Sequence, residues 1–204
     1  MNSIEKLTQI FSHFPGIGPR QARRFVYYLL TRQNGTLQDL SENILNLKKD
    51  VAVCEDCRRF FEKKNKDTNL CSICSDQNRD RSLLMIVLRD SDLESVEKNR
   101  VFNGVYFVLG GTVPILEKEP EKRIRIQELR IKLEKKKEEI KEIILGMNFN
   151  PEGENTGDFV EKQIREIMQD KSIKISHLGK GLSTGTELEY ADPETIKNAL
   201  QNRS

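Results

Sequence analysis

The sequence of 204 residues predicts an α/β protein with a helical N-terminal domain, a small four-cysteine arm, a parallel-sheet domain and a helical or strand tail. Three observations carry this prediction. Apolar residues near the N-terminus recur at helical spacing beside a glycine turn. Two C-x-x-C pairs follow, and short apolar segments then alternate with amphipathic ones, which is typical of a parallel sheet covered by helices. The predicted boundaries are 1–52, 53–79, 80–176 and 177–204.

The N-terminal domain begins with a predicted helix, a tight turn and a second helix. Apolar side chains before the turn recur at steps of three and four, which is the spacing of one buried helix face. They are Ile4, Leu7, Phe11 and Phe14. Gly16 and Gly18 free the turn to take positive φ or to approach another molecule closely. Pro19 suits the first turn of the second helix, where its missing N–H would have no partner.

The start of the second helix is a predicted anion site. Backbone amides at a helix start face outward, and the helix dipole favours a negative partner there. Arginines occupy the two opening turns of this helix, beside that point: Arg20, Arg23 and Arg24. The alternative is an ordinary helical corner whose arginines are solvated.

The same stretch, PGIGPRQARR at 15–24, resembles a helix–hairpin–helix element. In that family the hairpin amides contact a phosphate and nearby basic side chains support the contact. The resemblance implies sequence-independent DNA binding through four residues: Gly16, Gly18, Arg20 and Arg24.

The four cysteines form two pairs with thirteen residues between them: Cys54, Cys57, Cys71 and Cys74. Two C-x-x-C knuckles present four thiolates at the spacing that a structural zinc ion requires. A redox dithiol and buried free cysteines are the alternatives, but a redox motif needs one pair and not two. We therefore expect one closed zinc site per chain, which stabilises the fold without doing chemistry.

The region after position 80 carries the strands of the predicted sheet. Four apolar segments have the length of buried strands: LLMIVL (83–88), VYFVLG (105–110), EIILGM (142–147) and SIKISHL (172–178).

Three predicted helices separate these strands. The first, SDLESVEKN, has its expected N-cap at Ser91 or Asp92. Residues 121–142 carry nine Lys or Arg and six Asp or Glu around a thin apolar stripe, which predicts a mostly exposed helix. The third helix is expected from about Thr156 to Met168.

Acidic residues follow the first and third strands, where sheets of this kind bind ligands. Asp90, Asp92 and Glu152 could hold Mg²⁺, because carboxylates are its usual protein ligands. The alternative is helix capping, since negative charge is favoured near a helix start. We favour capping.

The composition limits the possible partners. A net charge of +2 means that any contact with nucleic acid depends on local basic patches. No apolar run is long enough to cross a bilayer, and the start MNSIEKLTQI lacks a signal-peptide pattern. We therefore expect a cytoplasmic protein, whose cysteines stay reduced.

Several motifs together resemble the RecR family of bacterial recombination mediators. They occur in family order: PGIGPRQARR, the four-cysteine cluster, YFVLGG (106–111), NPEGENT (150–156) and GLSTGTELEYADPETIKNAL (181–200). The resemblance covers essentially the whole chain. It implies a helix–hairpin–helix domain, a four-cysteine zinc finger and a Toprim domain.

The resemblance also implies a function. Members of this family are non-enzymatic DNA repair and recombination proteins that act with RecO and RecF to load RecA on gapped or single-stranded DNA. It implies a ring-shaped homotetramer, binding to single- and double-stranded DNA, and a place at the nucleoid. Asp92 and Glu152 are the candidate partner-binding residues.

One departure bears on catalysis. Catalytic Toprim domains hold Mg²⁺ with a glutamate after the first strand and an Asp-x-Asp after the third. Leu88 stands at the glutamate position here, and Asn148 and Asn150 stand at the two aspartates. We therefore expect no enzyme activity. The alternatives are a Mg²⁺-dependent nuclease or primase, and a zinc-stabilised interaction module that does not bind DNA.

Overall fold

The computed structural model describes residues 1–63, 68–168, 173–179, 181, 185, 188–191 and 193–201. The chain divides into two compact units, Met1–Val51 and Ala52–Ser204. Most of the stretch 182–187 lies outside the described residues, and so do Lys180 and 202–204. In the described part of the chain, no helix combines the length and the apolar character that crossing a membrane requires.

The first unit consists of three helices: α1 (Ser3–Ser12), α2 (Pro19–Leu30) and α3 (Asn34–Asp50). Helix α1 begins with a capping box, in which the Glu5 amide donates to Asn2 Oδ1 at 2.9 Å and the Asn2 amide donates to Glu5 Oε2 at 3.0 Å. The small core contains Ala22 and Val26 of α2, both almost fully buried.

The predicted buried face of α1 is wrong. None of the described residues of α1 is buried, and Leu7 and Phe14 are 39 % and 52 % exposed. The spacing is helical, but two helices cannot enclose a full apolar face. Instead, the ring of Phe11 makes edge-to-face contacts with Phe14 and Phe25, at centroid distances of 5.7 and 6.1 Å.

The second unit contains a four-stranded parallel sheet. Its strands match the four apolar segments, so the predicted parallel sheet is confirmed: β3 (Asp80–Val87), β4 (Gly104–Val108), β5 (Glu142–Gly146) and β6 (Lys174–His177). The strand order in the sheet is β4-β3-β5-β6. Two short strands precede it and pair with each other: β1 (Val51–Val53) and β2 (Phe60–Glu62).

Helices cover the sheet and extend the chain beyond it: α4 (Ser72–Ser75), α5 (Asp90–Asn99), α6 (Ile126–Lys136), α7 (Pro151–Ile167) and α8 (Pro193–Gln201). Single 3₁₀ turns occur at Pro120–Lys122 and Leu188–Tyr190.

Helix α6 corrects the prediction of a mostly exposed helix over 121–142. It is shorter, and it buries Ile126, Leu129 and Leu133 completely. The charged residues that dominate the composition lie largely on its outer face, so composition alone underestimates how much of the helix is buried. Lys132 is buried as well, and its ammonium is paired with a carboxylate.

The two helix starts after β3 and β5 also differ from the predictions. The N-cap of α5 is Arg89 and neither Ser91 nor Asp92; Asp92 lies at the third helical position and accepts the Arg89 amide at 2.9 Å. Helix α7 starts at Pro151, five residues before the predicted Thr156, because the Asn150 side chain caps it by accepting the Gly153 amide at 2.8 Å.

The strands alternate between two apolar clusters, one on each face of the sheet. The first cluster contains Leu84, Ile86 and Phe107 together with the apolar side chains of α6 and α7. The second contains Met85, Val87, Tyr106, Val108 and Leu93 together with all four cysteines. The cysteine arm therefore forms part of the packing on one face of the sheet.

We predict that Gly104→Ala destabilises the second unit. A Cβ at this position would lie 2.3 Å from Phe102 Cζ and 2.6 Å from the Leu83 carbonyl oxygen, so β3 and β4 would have to separate. The expected loss is about 2 kcal/mol of the free energy of unfolding, measured by urea denaturation.

Gly157→Ala is the matched control, because a Cβ there would meet only Met147 Cγ at an ordinary 3.5 Å. It lies inside α7 and should gain roughly 0.5–1 kcal/mol. Equal effects of the two substitutions would contradict the close approach at Gly104.

Candidate metal centre and nucleic-acid interface

The two C-x-x-C pairs come together in the structure. Cys54 follows β1 directly, Cys57 lies in the next turn, Cys71 is the N-cap of α4 and Cys74 lies within α4. All four sulfur atoms lie within 4.8 Å of one another, and Cys57 Sγ and Cys71 Sγ are 3.6 Å apart. All four residues are at most 2 % exposed.

This arrangement fits a tetrahedral thiolate site. Metal–sulfur bonds of about 2.3 Å place tetrahedral sulfurs about 3.8 Å apart. Hydrogen bonds from Cys57, Cys71 and Cys74 lower the pKa of Cys54. Hydrogen bonding with Cys54 raises the pKa of Cys71, but hydrogen bonds from Cys57 and Cys74 lower it, with a net value of about 7. Hydrogen bonding with Cys54 raises the pKa of Cys57 and of Cys74, so two sulfurs of the cluster favour the thiolate and two favour the thiol. A bound cation would convert all four to thiolates, and the four cysteines could hold a metal ion.

Backbone hydrogen bonds shape the first knuckle around the sulfurs. The Arg58 amide donates to the Cys54 carbonyl at 3.0 Å, and the Cys54 amide donates to the Arg59 carbonyl at 2.9 Å. Arg58 takes a φ of 63°, in the left-handed region that favours glycine. The Cys71 amide points at Cys54 Sγ, 3.4 Å away, and so links the second knuckle to the first.

Within the second unit, residues of β4 and of the α6 region hold this knuckle through three polar contacts. The Val108 amide, at the end of β4, donates to the Cys57 carbonyl at 2.8 Å. Lys132 Nζ lies 2.7 Å from Asp56 Oδ2, and the lysine side chain is only 7 % exposed. Arg125 donates through Nη1 to the Arg58 carbonyl at 2.6 Å.

Local sequence patterns did not identify Lys132 and Arg125 as support for the cysteine cluster. Both belong to the charged segment that predicts a solvated helix, and their partners lie 76 and 67 residues away along the chain. The residue types gave one signal: a cation that becomes buried on folding needs a carboxylate partner.

The hairpin between α1 and α2 has the predicted shape in part. Gly16 takes a φ of +75°, whereas Gly18 is extended, with a φ of −81°, and is the N-cap of α2. Pro19 is the first residue of α2, as predicted. Among the described residues, nothing lies within 4 Å of a Cβ built at either glycine, so the outer side of the turn is open to a ligand.

The arginines after the hairpin face an open groove of ≈ 600 Å³. Its lining consists of Thr8, Pro19, Arg20, Arg23, Arg24 and Tyr27. Arg24 Nη1 donates to Gln21 Oε1 at 3.3 Å, and all three arginines are exposed. Between Glu5 and Asp39 the chain carries five Lys or Arg and no Asp or Glu. The groove is therefore locally cationic, although the whole chain is nearly neutral.

The acidic residues that could have formed a magnesium site serve other contacts. Asp90 Oδ1 accepts the Phe60 amide at 2.7 Å, Asp92 caps α5, and Glu152 Oε2 accepts a bond from Thr112 at 3.3 Å. Among the residues that the structure describes, these three carboxylates do not converge on a common ligand position. Leu88, which stands at the position of the glutamate of catalytic Toprim domains, is fully buried.

Comparison with known families and proteins places these features together. The family model described as RecR, helix-hairpin-helix, matches residues 4–48, a Toprim domain matches 82–179, and RecR, C-terminal, matches 181–204. The predicted helix–hairpin–helix and Toprim domains are thereby confirmed.

Individual proteins match over nearly the full chain. Recombination protein RecR of Staphylococcus saprophyticus is 34% identical over 98% of this chain and 96% of its own length. The proteins of the same name from Bifidobacterium longum subsp. infantis and Bifidobacterium adolescentis are 33% and 35% identical, over 98% of this chain and 95% of their own lengths. The chain belongs to the RecR family of recombination proteins.

Proposed function

We propose that this protein is a non-enzymatic recombination mediator that binds DNA through the hairpin of its first unit. The observation that carries the proposal is the acid-free stretch between Glu5 and Asp39, which places an open glycine turn beside a groove lined by three arginines. A phosphodiester backbone is the ligand that such a site fits best, because it is anionic, continuous and the same for every sequence.

The hairpin would bind one phosphate directly. Gly16 and Gly18 leave room for a phosphate to approach the amides of the turn and of the α2 start, where the helix dipole adds favourable charge. Arg20 and Arg24 would neutralise the neighbouring phosphates, since both lie in the first turns of α2. These contacts do not distinguish one base from another, so both single- and double-stranded DNA qualify.

The four-cysteine cluster would hold zinc in a structural role. Four thiolates complete a tetrahedral zinc coordination and leave no position for a reacting water. The buried cysteines pack with Met85, Val87 and Val108, so the ion would tie the arm to the sheet.

Assembly would compensate for the small contact area of one hairpin. Helix α3 supports this idea, because it exposes large apolar side chains: Leu40, Ile44, Leu45 and Leu47, which are 42 to 71 % exposed. A ring-shaped homotetramer around DNA would let several weak sites act together, since the first contact raises the effective concentration of the others.

The proposed partners follow from the family. We propose that the protein acts with RecO and RecF to load RecA on gapped or single-stranded DNA, in the cytoplasm and at the nucleoid. Glu152 is exposed at the start of α7 and is a candidate contact for such a partner. Asp92 is a weaker candidate, because its carboxylate already caps α5.

Removal of the hairpin arginines should weaken DNA binding. Arg20→Ala with Arg24→Ala should lower the affinity for duplex DNA and make the dependence of log K on log salt shallower, by about one for each phosphate that is no longer neutralised. Fluorescence anisotropy at several salt concentrations measures both quantities.

Lys48→Ala with Lys49→Ala is the matched control, since it removes the same charge from the last turn of α3. An equal decrease of affinity in both double variants would mean that total charge, and not the hairpin, sets binding.

The metal centre should depend on the ion pair beside it. The purified chain should contain one zinc ion per protomer, and Lys132→Ala should release it faster to a chromogenic chelator, because Asp56 beside Cys57 loses its partner. The same substitution should cost about 2 kcal/mol in the free energy of unfolding, given that Asp56 retains partial solvent access. Lys135→Ala, at an exposed position of α6, is the control; matching zinc release rates in the two variants would argue against the clamp.

The remaining alternative, a Mg²⁺-dependent nuclease or primase, has its own test. We expect no DNA cleavage or synthesis with Mg²⁺. Asp92→Ala should only remove the carboxylate that accepts the Arg89 amide at the start of α5, at a cost of about 1 kcal/mol in stability. Robust cleavage that disappears in Asp92→Ala would overturn the non-enzymatic proposal.

A further inference from the structure

We propose that Tyr27 is a stacking platform for a base of single-stranded DNA, so that the hairpin groove binds a base as well as the backbone of that strand. This inference rests on the proposed DNA binding of the first unit and adds a contact to a base. It predicts that the groove holds an unpaired strand more tightly than a duplex.

The position of Tyr27 on α2 brings its ring to the arginines. Tyr27 follows Arg20 by seven residues and Arg23 by four, which places the three on one helix face. The rise of an α-helix separates Arg20 from Tyr27 by about 10 Å along the axis. The ring therefore lies further along the same groove whose other end is the phosphate-binding turn.

The ring of Tyr27 is available for a ligand. Its side chain is 52 % exposed. Within the described residues, the ring has no aromatic or cation–π contact, in contrast to its neighbour Tyr28, whose ring carries the Arg32 guanidinium at 4.0 Å. The ring of Phe25, two residues before Tyr27, contacts Phe11, which also contacts Phe14.

The combination of ring and cations selects the ligand. Aromatic side chains that interrupt a basic groove bind single strands, because each exposed base has a π-face and each linkage has a charge. A duplex keeps its bases stacked on each other and can use only the cations. An acidic protein segment would use the arginines as well, but it would leave the exposed ring without a partner. Single-stranded DNA is the ligand that uses both.

A tryptophan at this position makes the contact observable. The chain contains no Trp, so Tyr27→Trp introduces the single indole of the protein. We expect oligodeoxythymidylate to quench the indole emission at saturation, and a blunt duplex to quench it much less. Tyr28→Trp is the control, since Tyr28 is 54 % exposed on the same helix, does not line the groove and contacts the Arg32 guanidinium; its emission should change much less.

Affinity measurements give the decisive comparison. Tyr27→Leu should weaken binding of oligodeoxythymidylate about tenfold and leave duplex binding within about twofold, whereas Tyr27→Phe should retain both. The helix content and solution mass of each variant are measured alongside. No quenching in Tyr27→Trp, or an equal weakening of both DNA forms in Tyr27→Leu, would overturn the proposal.

These outcomes separate the inference from the proposed function. If Tyr27 is not a platform but the hairpin does bind DNA, Arg20→Ala with Arg24→Ala still weakens binding of both DNA forms while Tyr27→Leu changes neither. If the hairpin does not bind DNA, neither the arginine variant nor the tyrosine variant changes any affinity.

Discussion

The burial of four cysteines against one face of a parallel sheet is the constraint on which the larger unit depends. Met85, Val87, Tyr106 and Val108 point to that face, and they pack with the cysteines and with Leu93 of α5 in one cluster. The opposite face is covered by α6 and α7. A small arm of this size cannot form its own apolar core, so the cysteine knuckles and the sheet stabilise each other. Two cations of the α6 region, Arg125 and Lys132, extend the attachment to the arm.

The first unit differs from the second, because it has few buried residues and carries positive charge without acidic residues between Glu5 and Asp39. Ala22 and Val26 are its buried apolar residues among those described, while aromatic and aliphatic side chains remain at the surface. Such a unit offers ligands a local field and open backbone positions. Because each hairpin would make only a few phosphate contacts, affinity would come from several copies acting on one DNA molecule. Under the proposed function, the nucleic acid would contact the first unit. The parallel-sheet part of the second unit, whose carboxylates are engaged in capping and arm contacts, would remain for partners.

Sequence patterns predicted the features that depend on local chemistry. The apolar run at 83–88, the cysteine spacing and Pro19 each have a meaning that distant residues do not change. Features that depend on contacts with residues elsewhere in the chain could not be predicted from local patterns. The apolar stripe of α1 stays half-exposed because too little chain packs over it. The burial of Lys132 requires Asp56, whose position is set by the cysteine knuckle. The sequence did not predict helix α3, because its apolar residues do not form a buried face. In the candidate site, the cations were identifiable, but the openness of the groove and of the Tyr27 ring is a property of the fold.

Amide hydrogen exchange of the zinc-loaded and the chelated protein shows whether the cysteine cluster is part of the core of the parallel sheet. If it is, chelation will accelerate exchange along β4, including Val108, whose amide donates to Cys57, and along the neighbouring β3. The amides of α1 and α2 should exchange at unchanged rates. Faster exchange confined to the two knuckles, with β3 and β4 still fully protected, would mean that the cysteine cluster is not part of that core.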